Sequence, residues 1–308
     1  MVKAKTMPKA RAAMQSRRRD EDFIPRLLIT LFVILVDVIM LYPIINVISI
    51  SLSSYTGYLE NPIMLFPTDF SLSAYNQVFQ YSLMLTGYGV TLFVTIFGTV
   101  LGVLLTILTA YPLSRKQFRG KGIFMGLILF TMFFSGGMIP SFLLVKSIGL
   151  LDTIWSLILP GCLSAYNVIL VRNFFSSLPD SLIEAAEIDG ANEPFILFRI
   201  VVPLSKPIIS TILLFVAVGY WNSYFNAILY IRSRELWPLQ LVLREIIMSA
   251  TAMNQSTGGN LAEMGNAAVQ PIMLQYASIV VAMVPILCIY PCLQKYFEKG
   301  IMMGAVKG

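Results

Sequence analysis

The chain has 308 residues, of which 57% are hydrophobic and 12% charged, and its mean hydropathy is +0.77. A water-soluble domain carries about a quarter charged residues, so this balance excludes one and calls for lipid as solvent. The sequence holds no histidine, which removes the usual neutral-pH base and excludes Ser-His-Asp or Cys-His chemistry within the chain.

Crossing the hydrocarbon takes about 20 apolar residues. Six segments meet that length, at about 27–52, 86–113, 123–145, 153–175, 208–231 and 274–297. The second, third and fifth contain no Asp, Glu, Lys or Arg. The expected fold class is all-α, a polytopic membrane protein of six transmembrane helices. Its domains are a tail (1–26), a membrane domain (27–297) with a loop at 176–207, and a C-terminal tail (298–308).

The first segment follows a basic tail, with Lys3, Lys5, Lys9, Arg11, Arg17, Arg18, Arg19 and Arg26. It is too long for a signal-peptide core and ends in Leu-Ser-Ser, so it reads as a retained span. Its Asp37 is the one Asp or Glu within the six spans. A single carboxylate without a charged partner reads as a structural hydrogen bond rather than a proton relay.

With the N-terminus inside, 18 of the 22 Lys and Arg residues fall on the inner side. Only Lys146, Arg232, Arg234 and Arg244 fall outside. This asymmetry predicts that both termini face the cytoplasm of a bacterial cell membrane, and it accounts for the net charge of +6 without nucleic acid or an anionic partner. Outer loops are expected at 53–85, 146–152 and 232–273. In the last, Asn254–Asn260 (NQSTGGN) has the composition of a flexible loop. The three cysteines, Cys162, Cys288 and Cys292, lie in apolar runs and read as small buried side chains.

The third segment carries Ser135, Gly136 and Gly137 ahead of Pro140, where a helix can bend or unwind if it lines a cavity. Close helix packing by small residues is the competing account. Tyr166 and Asn167 in the fourth segment, and Trp221, Asn222, Tyr224 and Asn226 in the fifth, join aromatic faces to amides. Such a surface suits sugars, with C–H faces on rings and hydroxyls on amides. Interfacial aromatics and inter-helix hydrogen bonds would use the same residues.

Between the fourth and fifth segments stands Ser177–Pro207 (SLPDSLIEAAEIDGANEPFILFRIVVPLSKP). Ser181 and Glu184 have capping-box spacing, so a helix is expected to start at Ser181. Leu182, Ala185, Ala186 and Asp189 fall at i, i+3, i+4 and i+7 and are expected to share one face. Gly190 is a natural stop, and Asn192 with Pro194 suits a second helix start.

This loop resembles the EAA loop of ATP-binding-cassette importer permeases: Glu184-Ala185-Ala186, then Gly190, then an end at Ile200–Pro203. Ala110–Arg115 (AYPLSR), Ser135–Pro140 (SGGMIP), Trp221–Ala227 (WNSYFNA) and Lys299–Gly308 (KGIMMGAVKG) are similar to its carbohydrate-uptake, maltose-type branch. The resemblance implies a type I importer permease fold. It implies that Ser181, Leu182, Glu184, Ala185, Ala186, Asp189 and Gly190 form a coupling helix that docks on an ATPase. The implied partners are a second homologous permease, two ATPases, an external solute-binding protein and a sugar or oligosaccharide. The chain has no G-x-x-x-x-G-K-[ST] phosphate loop, so ATP and Mg would sit on the partner ATPases and this chain would need no cofactor. A permease for amino acids or peptides, a membrane-embedded enzyme and a passive channel are the other function classes. The enzyme lacks convergent intramembrane catalytic groups, and a channel would not require a docking loop.

Overall fold

The computed structural model describes residues 23–256 and 271–305 and divides the chain into two units, residues 1–72 and 73–308. The fold is all-α, and among the described residues the only β pairing is one antiparallel bridge between Ser53 and Phe70.

In the first unit, α1 (Phe23–Ser51) is a continuous helix with Leu28, Phe32, Ile39 and Met40 exposed around its girth. A helix apolar on every side along most of its length is at home in lipid. Asp37 is exposed on it, and no described residue bonds to its carboxylate, so the internal hydrogen bond expected for it is absent from the described residues. The loop that follows folds back on the helix end. Asn46 Nδ2 donates to the Met64 carbonyl at 3.0 Å and Ser49 Oγ to that of Leu65 at 2.8 Å. The short α2 (Tyr55–Glu60) is capped by Ser54, which accepts from the Gly57 amide.

The second unit begins with α3 (Ser73–Gln80), followed by the long α4 (Ser82–Ser114). Its buried stripe, Gly87, Thr91, Val94, Gly98, Gly102 and Thr106, has helical spacing and is mostly small. A Cβ on Gly98 would stand 2.6 Å from the Tyr220 ring, and one on Gly102 would stand 2.8 Å from the Cys162 carbonyl. Backbones therefore approach closely at this stripe. Hydrogen bonds accompany the packing: the Leu239 amide donates to Thr91 Oγ1 at 2.8 Å, and beside the stripe Tyr220 donates to the Ile158 carbonyl at 2.9 Å, each of a kind worth about 0.6 kcal/mol inside a membrane.

Three of the expected spans are single helices, α1, α4 and α14 (Pro271–Ala305). The other three are broken. α5 (Lys121–Phe133) and α6 (Met138–Ser147) are bent by 115° at residues 134–137. α7 (Trp155–Ile158), continued by one tight turn to Gly161, meets α8 (Ala165–Phe175) at 52°. The fifth span is only the 16 residues of α11 (Lys206–Trp221), which reaches about 24 Å and stops short of the expected 231. Composition counted the apolar residues correctly but could not register the breaks, because Gly and Pro within an apolar run permit either outcome.

Beyond α11, the chain turns at Asn222–Tyr224 into α12 (Phe225–Tyr230) and then forms α13 (Leu239–Ser256). The sequence reading treated 232–273 as loop, and α13 corrects it. Asn254–Ser256 of the expected flexible loop close this helix, and Thr257–Asn260 lie outside the described residues, as do residues 1–22 and 306–308. α13 packs on α4 and α14, and α11 on α4 and α14. The described part of the expected C-terminal tail continues α14 to Ala305.

Candidate functional site

At the far end of α4 the Ser177–Pro207 loop forms α9 (Asp180–Ile188) and α10 (Glu193–Leu204). α9 starts one residue earlier than expected. Pro179 occupies the cap position with no side-chain bond, and Ser181 makes no capping box. Asp180 instead places its carboxylate in the first turn, where the helix dipole favours it, and pairs with Lys116. That hydrogen bond raises the Lys116 ammonium above its ordinary value. Gly190 ends the helix at φ +78°, a conformation that favours glycine, and Asn192 Oδ1 caps α10 by accepting from the Phe195 amide at 3.0 Å.

The expected face of α9 divides. Ile183 and Ala186 are buried, in one cluster with Ile107, Tyr111, Phe175 and Ile196. Leu182, Ala185 and Asp189 are exposed, with Ser181 and Glu184. Ile188, absent from the sequence-based set, is 86% exposed. Ala186 therefore anchors the helix, and Leu182, Ala185 and Ile188 form its outward apolar strip.

A charged clamp ties this helix to α4. Arg115, directly after α4, pairs with Glu187 of α9, lies 3.7 Å from Glu193 of α10 and sits over the Tyr111 ring at 5.9 Å. The Tyr111 hydroxyl donates to Glu193, and Arg172 Nε of α8 donates to the Leu113 carbonyl at 3.2 Å. α10 widens to i→i+5 turns over Ile196–Val201 and then turns by 85° into α11 at Ser205, between Pro203 and Pro207. Neither proline can donate a backbone bond, which is why the expected Ile200–Pro203 end is a corner.

The residues grouped for the substrate path come apart in the structure. Ser135, Gly136 and Gly137 form the break between α5 and α6, exposed, with Gly137 at φ +87°. Among the described residues, only Pro140 at the start of α6 comes near them, 3.8 Å from a Cβ on Gly136. Tyr166 (51% exposed) and Asn167 (8%) start α8. Trp221 is 4% exposed, edge-on to Tyr88 at 6.4 Å, and its indole N–H has no described partner. Asn226 is half-buried in α12. Asn222 and Tyr224 line a cavity of about 440 Å³ between the α11–α12 break, α13 and α14.

Sequence reasoning missed the rest of that cavity. Gln240 and Arg244, four apart on α13, face it together with Leu243, and Ile279 and Met283 close it from α14. The Arg244 guanidinium lies 5.2 Å from the Tyr224 ring centre. The next residue, Glu245, is engaged by Arg234 at 2.6 Å. Arg244 had been counted as an outer-loop charge, yet it faces α14 within the apolar window Pro271–Cys288. A helical reading of 239–247, with 240, 243, 244 and 247 on one face, was the signal available. An arginine beside an apolar span costs about 3 kcal/mol, and a cation–π contact returns about 1. Arg244 is exposed on this chain, so a further partner can reach it.

Comparison with known proteins places these features. The family profile described as binding-protein-dependent transport system inner membrane component matches residues 98–303. The polygalacturonan/rhamnogalacturonan transport system permease protein YtcP of Bacillus subtilis (strain 168) is 44% identical over 90% of this chain and 96% of its own. The melibiose/raffinose/stachyose import permease protein MelC of the same organism is 28% identical, over 91% and 96%. Among solved structures, a bacterial ABC transporter chain from the importer of the acidic polysaccharide alginate superposes with a TM-score of 0.82 at 36% identity. It covers 90% of this chain and 98% of that one.

Proposed function

The chain belongs to the binding-protein-dependent transport system inner membrane component family, and from that premise we propose that it is a membrane permease subunit of an ATP-binding-cassette importer for sugars, oligosaccharides in particular. The family is one of transport permeases, not enzymes. Support for the sugar class comes from relatives named for polygalacturonan, rhamnogalacturonan, melibiose, raffinose and stachyose, and from a structural neighbour named for alginate. A second, homologous permease completes the pore, and a solute-binding protein delivers the sugar from outside. Two ATPases hold ATP and Mg on the inner face, where the charge asymmetry puts both termini.

The observation that carries the mechanism is α9. Its strip of Leu182, Ala185 and Ile188 is exposed while its other face is locked to α4 through Arg115, Glu187 and Lys116. An exposed isoleucine on a short surface helix suits a groove in a partner. When the ATPases close on ATP, a push on α9 moves the end of α4 with it, because the clamp and the cluster under Ile183 join the two. The 85° corner at Ser205 passes the same motion to α11.

The test is a cysteine at Ala185 in the assembled transporter. Ala185→Cys should cross-link to an ATPase subunit, and the cross-linked complex should lose ATP-driven uptake. If no ATPase is captured from a preparation that transports sugar, the docking assignment is wrong.

A further inference from the structure

Kinship leaves the charge of this chain's own sugar open, and the cavity at α13 addresses it. We propose that Arg244 is the carboxylate-recognition point of the translocation path, and that the substrate is an acidic oligosaccharide containing uronic acid. This rests on the sugar-importer reading and adds the chemistry of the sugar to it.

Four observations converge. Arg244 lies on the cavity wall at the depth of Ile279–Met283, where an unneutralised cation is costly. Among the described residues no carboxylate pairs with it; its neighbour Glu245 gives Oε1 to Arg234, and its buried Oε2 meets no described donor. The Tyr224 ring fixes the guanidinium through its charge, and none of its N–H donors is given to a described residue. Those donors form the planar fork that matches a carboxylate with two parallel bonds. Asn222 and Gln240 supply amides beside it for sugar hydroxyls, and Leu243, Ile279 and Met283 supply an apolar wall for C–H faces. A neutral sugar would use the amides and the wall but would leave the guanidinium unpaired. A uronate neutralises it, and the fixed guanidinium gives the passing carboxylate a counter-charge beside an apolar wall.

The experiment uses the complete transporter, this chain with its partner permease, ATPases and binding protein, reconstituted in vesicles. ATP-driven uptake is measured for trigalacturonate, its methyl ester and a panel of neutral oligosaccharides. Arg244→Gln should lower the ratio of acidic to esterified uptake about tenfold, the scale of one lost charge-assisted pair, and Arg244→Lys should restore part of it. Equal loss on both substrates with less assembled complex would assign Arg244 to a contact with the partner permease and overturn the proposal. An unchanged ratio would also overturn it. Wild-type uptake of neutral oligosaccharides alone would refute the acidic substrate while leaving the importer standing. No ATP-driven uptake of any sugar would remove the importer reading and this inference with it.

Discussion

The two ends of α4 are held by different physics. At its C-terminal end, Tyr111, Arg115 and Lys116 meet Glu193, Glu187 and Asp180 in a network of charged hydrogen bonds over a buried cluster. Toward its N-terminal end, Gly87, Gly98 and Gly102 press against α13, Tyr220 and the Cys162 carbonyl, with neutral hydrogen bonds from the Leu239 amide to Thr91 and from Tyr88 to the Val281 carbonyl and no ion pair among the described residues. Charged bonds at one end survive small displacements and carry force. Close-packed small residues at the other tolerate no intruding atom, and they fix the shape of the space beside them. A transporter needs both: a linkage that is pushed and a passage whose walls keep their form.

The largest expected effect lies at the packed end. Gly98→Leu drives a side chain into the Tyr220 ring, with Cβ already at 2.6 Å. Overpacking of this kind costs about 3 kcal/mol. The variant should lose most of the correctly folded chain in detergent, measured by thermal aggregation. If it kept wild-type stability, the packed end would be softer than the geometry states and the contrast would fail.

Arg115→Ala comes next. Its partners Glu187 and Glu193 are partly exposed, so the discounted loss is about 1–2 kcal/mol. The helix should stay folded on Ile183 and Ala186 while the linkage slackens. ATPase subunits should still copurify, with uptake per ATP hydrolysed reduced. Unchanged coupling would mean that the apolar cluster alone carries the motion.

The smallest effect is expected at Asp152, a hydrogen-bonded exception. Its carboxylate accepts from the Ser233 hydroxyl at 2.6 Å and from the Ser233 and Arg232 amides at 2.8 Å, joining two turns. Those bonds, the hydroxyl first, hold the carboxyl below its usual range. A depressed carboxyl contributes stability at neutral pH and loses it as pH falls through the folded value, hence only below about pH 4. Asp152→Asn should melt slightly below wild type at pH 7, and the two should converge in acid. A gap that persisted at low pH would mean that the turn is held by something other than the carboxylate.

The coupling end was far more legible than the cavity end. Gly190, Asn192 and Pro194 act within four residues of their targets, so spacing alone located the helix stop and the next start. The misreadings there were local too. Ser181 lost the cap because Pro179 and Asp180 set the start one residue earlier, and Ala186 turned inward because Tyr111 and Phe175, far off in sequence, supply the cluster. At the cavity, Trp221 and Asn222 are adjacent in sequence but part ways at the end of α11, one buried on Tyr88 and one open to the cavity. Arg244 was hidden because its helix lay in a stretch assigned to loop.

By itself the sequence determined the solvent, the approximate extent of the apolar segments and the surface helix between the fourth and fifth. Hydrophobic length and short-range capping are properties of a chain segment, independent of what it later touches. Tertiary structure alone decided which spans break, which face of α9 is left outward, and that an arginine 20 residues beyond Tyr224 comes to rest over its ring. Those outcomes depend on contacts between helices distant in sequence, where the stripe of small residues on α4 sets how near the others can come.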